Sequence, residues 1–152
     1  MINNRIQNLK PSCIIKGDYI LYWMQQSQRV SYNHALNHAI NLSNDHQLPL
    51  VVYFGVTDSY PEANLRHYHF MMEGLQNLQN KFRDLQIRFV IYKTSPETGC
   101  IEMMRNAACL VMDKGYTRIQ RHWRQEVLHA AQNMDLTVDE VESDLVIPIE
   151  TA

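Results

Sequence analysis

Residues 21–34, LYWMQQSQRVSYNH, decide the reading of the fold. The stretch starts as an apolar run and breaks at Gln25 into two glutamines, a serine and a lone arginine. A helical pattern then begins near Tyr32. Apolar strand, polar loop and amphipathic helix in that order make one β-α step. In a sheet built from such steps the loop after the strand is where ligands are held.

Four further apolar runs follow, rich in β-branched and aromatic residues, so that the five are Tyr19 to Met24, Leu50 to Val56, Ile87 to Tyr92, Cys109 to Met112 and Leu136 to Val141. They are mostly continuous rather than alternating, which places helices on both faces of a parallel sheet. The segments between them have helical period. Tyr32, Leu36, Ala39 and Ile40 share one face of the first. In the second, Leu65, Tyr68, Met72, Leu75, Gln79, Phe82 and Leu85 step by three and four, with Pro61 near the start. A short third segment lies between Pro96 and Ala108. The fourth carries Ile119, Trp123, Val127, Ala130 and Met134 on one face. The expected architecture is α/β, a doubly wound five-stranded parallel sheet with right-handed crossovers.

Composition agrees with one globular domain over residues 1–152: 45% of residues are hydrophobic and 20% charged. Fourteen Lys and Arg against 16 Asp and Glu give a formal charge of −2. No global field draws such a chain onto nucleic acid or an anionic membrane. Cys13, Cys100 and Cys109 are odd in number and lack CxxC spacing, and MINNRIQNLK at the start is too polar for a secretory signal. Both features point to a reducing cytoplasm. The longest apolar run, around Leu48 to Val56, is far short of the roughly 20 residues that a membrane helix needs.

The strand-end loops are MQQSQR, GVTDSYP, KTSPETG and DKGYTR. None contains GxGxxG or a Walker-type GxxxxGK[ST], so neither a dinucleotide fingerprint nor a phosphate loop is indicated. The chain also has no Ser/His/Asp constellation, no convincing carboxylate pair and no metal cluster of useful spacing. No catalytic residue and no metal site is expected. His34 and His38 stand i, i+4 without a third ligand, whereas His67 and His69 point to different sides of their helix.

Several motifs then acquire a common meaning. YWMQQSQRVSYNHAL resembles the tyrosine-tryptophan-methionine, glutamine-arginine and asparagine-x-alanine-leucine signature near the start of class II cyclobutane pyrimidine dimer photolyases. VVYFGVTDSYPEANLRHYHFMMEGLQNLQ is similar to that family's second strand and long second helix. LVMDKGYTRIQRHWRQEV looks like its fourth strand and following helix, and RIQNLK and VIPIETA have counterparts too. The resemblance covers essentially the whole chain. It implies a Rossmann-like N-terminal α/β domain with strand order 3-2-1-4-5, able to hold an antenna pigment of the 8-hydroxy-deazaflavin type.

In that family FAD and the DNA lesion belong to a larger helical domain, so the partners implied are that domain and, only through it, damaged DNA. The helical domain is absent from these 152 residues, and the chain alone is not expected to be catalytic. It reads as a fragment of a photolyase-like protein. The alternatives are a stand-alone nucleotide- or pigment-binding module and an interaction protein that dimerises through the face otherwise turned to the helical domain.

The ligand crevice implied at the strand ends comprises Met24, Gln25, Gln26, Arg29, Val56, Asp58, Asp113, Lys114, Tyr116 and Arg118. Gln25, Gln26 and Ser27 fall where relatives carry serine-arginine-aspartate, which removes both charges. Arg29 either fixes its own loop or meets the partner domain. Asp58 suits a helix cap, and Asn33 local backbone bonding. Asp113 either binds a polar ligand edge or accepts from loop amides, and Tyr116 offers a face for stacking. Trp123 and Tyr68 fit the core.

Overall fold

The computed structural model describes residues 3–12 and 16–149. Six strands form one sheet: β1 (Ile6–Lys10), β2 (Tyr19–Trp23), β3 (Leu50–Val56), β4 (Arg88–Lys93), β5 (Ala107–Asp113) and β6 (Thr137–Val141). Four helices connect them: α1 (His34–His46), α2 (Leu65–Asp84), α3 (Pro96–Met104) and α4 (Arg118–Ala131). The order across the sheet is β1-β6-β5-β2-β3-β4. The five strands read from the sequence are all parallel and stand in the expected order.

The sixth strand is the difference. IQNLK, outside the expected sheet, pairs antiparallel with β6, with Ile6 opposite Val141. Its short polar pattern is that of an edge strand, which lacks the continuous apolar signal of a buried one.

Side chains alternate along the central strands and divide the core in two. Ile20, Tyr22, Val52 and Phe54 face α1 and α2, where Leu36, Leu75, Leu78 and Phe82 pack. Leu21, Trp23, Tyr53 and Leu110 face α3 and α4, against Cys100, Met104, Trp123 and Val127. Cys100 and Cys109 are buried free thiols, whose pKa burial raises. Cys13 lies outside the described residues. Gly99 has no room for a side chain, since a Cβ would stand 2.0 Å from the Tyr53 hydroxyl. That contact brings α3 hard against β3.

Two helical stripes are shorter than their periodicity indicates. Tyr32 precedes α1 at φ 55° and is 91% exposed; Asn33 is the N-cap, accepting from the Leu36 amide at 2.9 Å. In α2 only Leu75, Leu78 and Phe82 are buried, whereas Leu65 is 85% exposed and Met72 and Leu85 are about half exposed. The N-terminal half of this 20-residue helix has no fully buried residue, although Met71 packs against the core. Pro61 lies in the turn before it, and Asn64 forms a capping box with His67.

Candidate functional site

The loop after β2 is held by buried hydrogen bonds. The Asp113 carboxylate, at the end of β5, accepts from the amides of Gln26 and Ser27 and from the Tyr22 hydroxyl, all at 2.9 Å. Burial pushes this carboxyl up to about 6, opposed by those three donors. Burial, then the Asp113 charge, raises the Tyr22 phenol well above its ordinary value. The Asn33 amide donates to the carbonyls of Ser27 and Arg29 and to Tyr22. Asp113 is therefore used internally and accepts from loop amides.

Arg29 fixes the chain leaving β6. Its guanidinium meets Asp144 at 3.1 Å and donates to the Ser143 carbonyl, while the Ser27 hydroxyl donates to Asp144 at 2.7 Å. Burial acts to raise Asp144, but hydrogen bonds from Ser27, Gln26 and Arg29 and the Arg29 charge hold it below its ordinary value. Arg5 completes the clamp by donating to the carbonyls of Glu142, Leu145 and Val146.

Beside this loop a cavity of about 550 Å³ opens between α2 and the start of α4. Gln25 and Gln26 form one side, Phe54 and Gly55 the strand end, His67, Phe70 and Gly74 the α2 wall, and Gln120 and Trp123 the α4 wall. No Lys, Arg, Asp or Glu lines it. The glutamines are fixed in place. Gln25 accepts from Trp23 Nε1 at 2.9 Å and exchanges longer contacts with the Gly55 backbone, and Gln26 Oε1 accepts from Gln120 Nε2. Gly74 lies within α2 at this wall, and a Cβ built on it would meet nothing within 4 Å. Aromatic surface, oriented amides and an uncharged lining suit a flat, hydrogen-bonding ring.

A second, open groove of about 980 Å³ lies next to it, lined by Tyr60, Pro61 and the first turns of α4 with Arg118, Arg121 and His122. Tyr60 lines both spaces and packs on Trp123 with ring centroids 6.1 Å apart.

The structure thus brings Gln25 and Gln26 to the cavity and Arg118 to the groove. The other expected residues fall elsewhere. Met24 is fully buried in the core and Val56 packs against it, because strand-end side chains alternate into the sheet faces. Asp58 caps nothing: it is exposed and pairs with Lys93 at 3.4 Å. The Lys114 amide continues the sheet by donating to the Val141 carbonyl. The Tyr116 hydroxyl donates to Glu142, which leaves it bound to the β6 exit segment. His38 pairs with Asp139 at 2.7 Å, and no group of metal-ligating side chains exists among the described residues. His122 is exposed on the groove, away from the buried, fully engaged Asp113. Trp123 is core and cavity wall at once, and half-buried Tyr68 accepts from the Tyr60 amide.

His67, Phe70, Gly74 and Gln120 were not legible as site residues. Their one sequence signal is a glycine inside a strong helix, with aromatic residues off the core stripe.

Over residues 20–152 the chain matches the family model described as DNA photolyase. It is 40% identical over 151 residues to the deoxyribodipyrimidine photo-lyase of Methanothermobacter thermautotrophicus, covering 97% of this chain and 33% of that protein. With the deoxyribodipyrimidine photo-lyase of Arabidopsis thaliana it shares 30% identity over 135 residues, 88% of this chain and 27% of that one. Its fold is similar to the crystal structure of the archaeal photolyase from Sulfolobus tokodaii with two FAD molecules, at TM-score 0.74 and 14% identity over 85% of this chain and 30% of that chain. The chain spans about a third of the length of these relatives. No helix among the described residues is long and apolar enough to cross a membrane.

Proposed function

The chain belongs to the DNA photolyase family, and from that premise we propose that it is the N-terminal light-harvesting domain of a class II-type photolyase, holding a flat antenna pigment of the 8-hydroxy-deazaflavin type between α2 and α4. A bound pigment supplies absorption of light and transfer of the excitation to a flavin. Everything else falls to the protein. Trp123, Phe54 and Phe70 offer apolar surface to the ring, and the oriented amides of Gln25, Gln26 and Gln120 set a hydrogen-bonding edge. Repair of pyrimidine dimers, FAD and contact with damaged DNA belong in this reading to the helical domain of a whole photolyase, which is the partner of this one.

The observation that carries the proposal is Gly74. A glycine inside a helix costs roughly 0.5–1 kcal/mol relative to alanine. Here it faces open space at the wall of a cavity large enough for a three-ring heterocycle. The test is reconstitution with an 8-hydroxy-deazaflavin followed by gel filtration. Visible absorbance should co-elute with the protein, and Gly74→Trp, which fills the cavity, should abolish it. A protein that elutes colourless sinks the reading.

A further inference from the structure

We propose that β4 pairs antiparallel with β4 of a second copy of this chain, with Arg88 of each opposite Tyr92 of the other, so that two six-stranded sheets join into one. The contrast between the two edges of the sheet, β1 and β4, leads to this partner. β1 is polar, its pairing shifts register between Asn8 and Lys10, and the Lys10 ammonium donates to the carbonyls of Met134 and Leu136. Irregularity and charge of this kind keep other chains off an edge. β4 has neither device along its length: RFVIYK pairs with β3 over all six residues without a shift, and its two cations stand at its ends. Among the described residues no backbone hydrogen bond is made by the outer side of β4. A row of unpaired N–H and C=O groups is complementary to its own antiparallel copy. No residue of β4 lines the pigment cavity, so the contact is independent of that ligand.

The side chains select the register. Val90 and Tyr92 belong to the face that carries α3, and by alternation so does Arg88, whereas Phe89 and Ile91 pack into the other core. α3 lies over β2, β3 and β5, which leaves Tyr92 46% exposed while its ring packs on Tyr53 at 5.9 Å. A twofold axis perpendicular to the sheet keeps each face on its own side, so even-numbered residues meet even-numbered ones. With the axis at Val90, residues 88–92 of both strands pair, and each exposed Arg88 stands beside the partner's Tyr92 ring, a cation–π contact made twice. An axis at Ile91 would set Lys93 opposite Phe89. One at Phe89 would set Arg88 opposite Val90 and carry the pairing out of the strand. Lys93 is meanwhile held by Asp58 of its own chain at 3.4 Å.

Light scattering on the purified chain should show the mass rising with concentration from 17.9 kDa to twice that value. In hydrogen exchange the outward amides of residues 88–92 should gain protection over the same concentrations, while those of residues 6–10 stay unchanged. Tyr92→Lys sets two lysines against two arginines and should weaken the dimer roughly tenfold or more. Arg88→Ala, at an exposed position, should weaken it as well. Arg88→Glu added to Tyr92→Lys replaces both repulsions by salt bridges and should restore the dimer. Within one strand the two positions are about 13 Å apart, so such a rescue arises only between chains. A chain that stays at 17.9 kDa at every concentration overturns the contact. A dimer that ignores Tyr92→Lys and Arg88→Ala uses another face and overturns it too. Loss that the double variant fails to rescue overturns the register.

Discussion

Asp113 accepts three hydrogen bonds at once, so its removal strands the two loop amides and the Tyr22 hydroxyl in a dry site. Asp113→Asn turns an amide group towards those donors and should cost about 1–3 kcal/mol in urea unfolding at neutral pH. The proton adds a pH signature. Its folded value of about 6 lies above the ordinary 3.8, so the folded chain binds this proton more tightly than the unfolded one. The stability it contributes is full below the ordinary value and is lost as pH rises through about 6. The lowered Asp144 acts in the opposite sense, being lost as pH falls, and is common to both proteins. The wild-type advantage over Asp113→Asn should therefore grow between pH 7 and pH 4.5; an unchanged difference would show that the group does not titrate in that window. From sequence, Asp113 stood visibly at a strand end, but ligand edge and loop amide were equal readings. The deciding fact is the return of residues 26 and 27 over β5, a contact separated by almost 90 residues.

At the scale of elements, the strands were legible because burial on both faces writes itself as continuous apolar runs. Half of α2 was not. Its periodic apolar residues continue to Leu65, but burial does not, so the same stripe is core at Phe82 and exposed at Leu65. Periodicity records a face and says nothing of what that face meets. Gly74→Ala should raise stability by about 0.5–1 kcal/mol, read as a higher midpoint in thermal unfolding, since the methyl group enters open space. Replacement of the α4 cap is expected to act the other way. Thr117 accepts from the Gln120 amide while Gln120 reaches back to the Thr117 amide. Thr117→Ala should cost about 1 kcal/mol. It should also loosen the Gln26–Gln120 link, so that pigment retention falls with it. A normal midpoint and full retention would remove Gln120 from the site.

For the whole molecule, the sheet edge is the part that local reading could not supply. IQNLK has neither length nor hydrophobicity to announce a strand, and its partner lies at the other end of the domain. The clamp it brings is specific. Arg5, in the turn immediately before β1, donates to three carbonyls of residues 142–146, and Arg29 holds Asp144. Arg5→Ala should raise hydrogen exchange of the amides of residues 142–149 by tenfold or more while those of β2, β3 and β5 stay protected. Uniform protection across both regions would mean that the segment is held without Arg5.

The pairing of Ile6 with Val141 also sets a timetable. During synthesis β1 emerges before the five parallel strands of this sheet, yet the edge it joins does not exist until β6 has been made. The parallel strands can pair in order as they appear, while β1 waits in water with its backbone unpaired. Closure of this edge then waits for β6, and a nascent chain stalled before Thr137 holds a sheet whose β5 edge is still open to other chains.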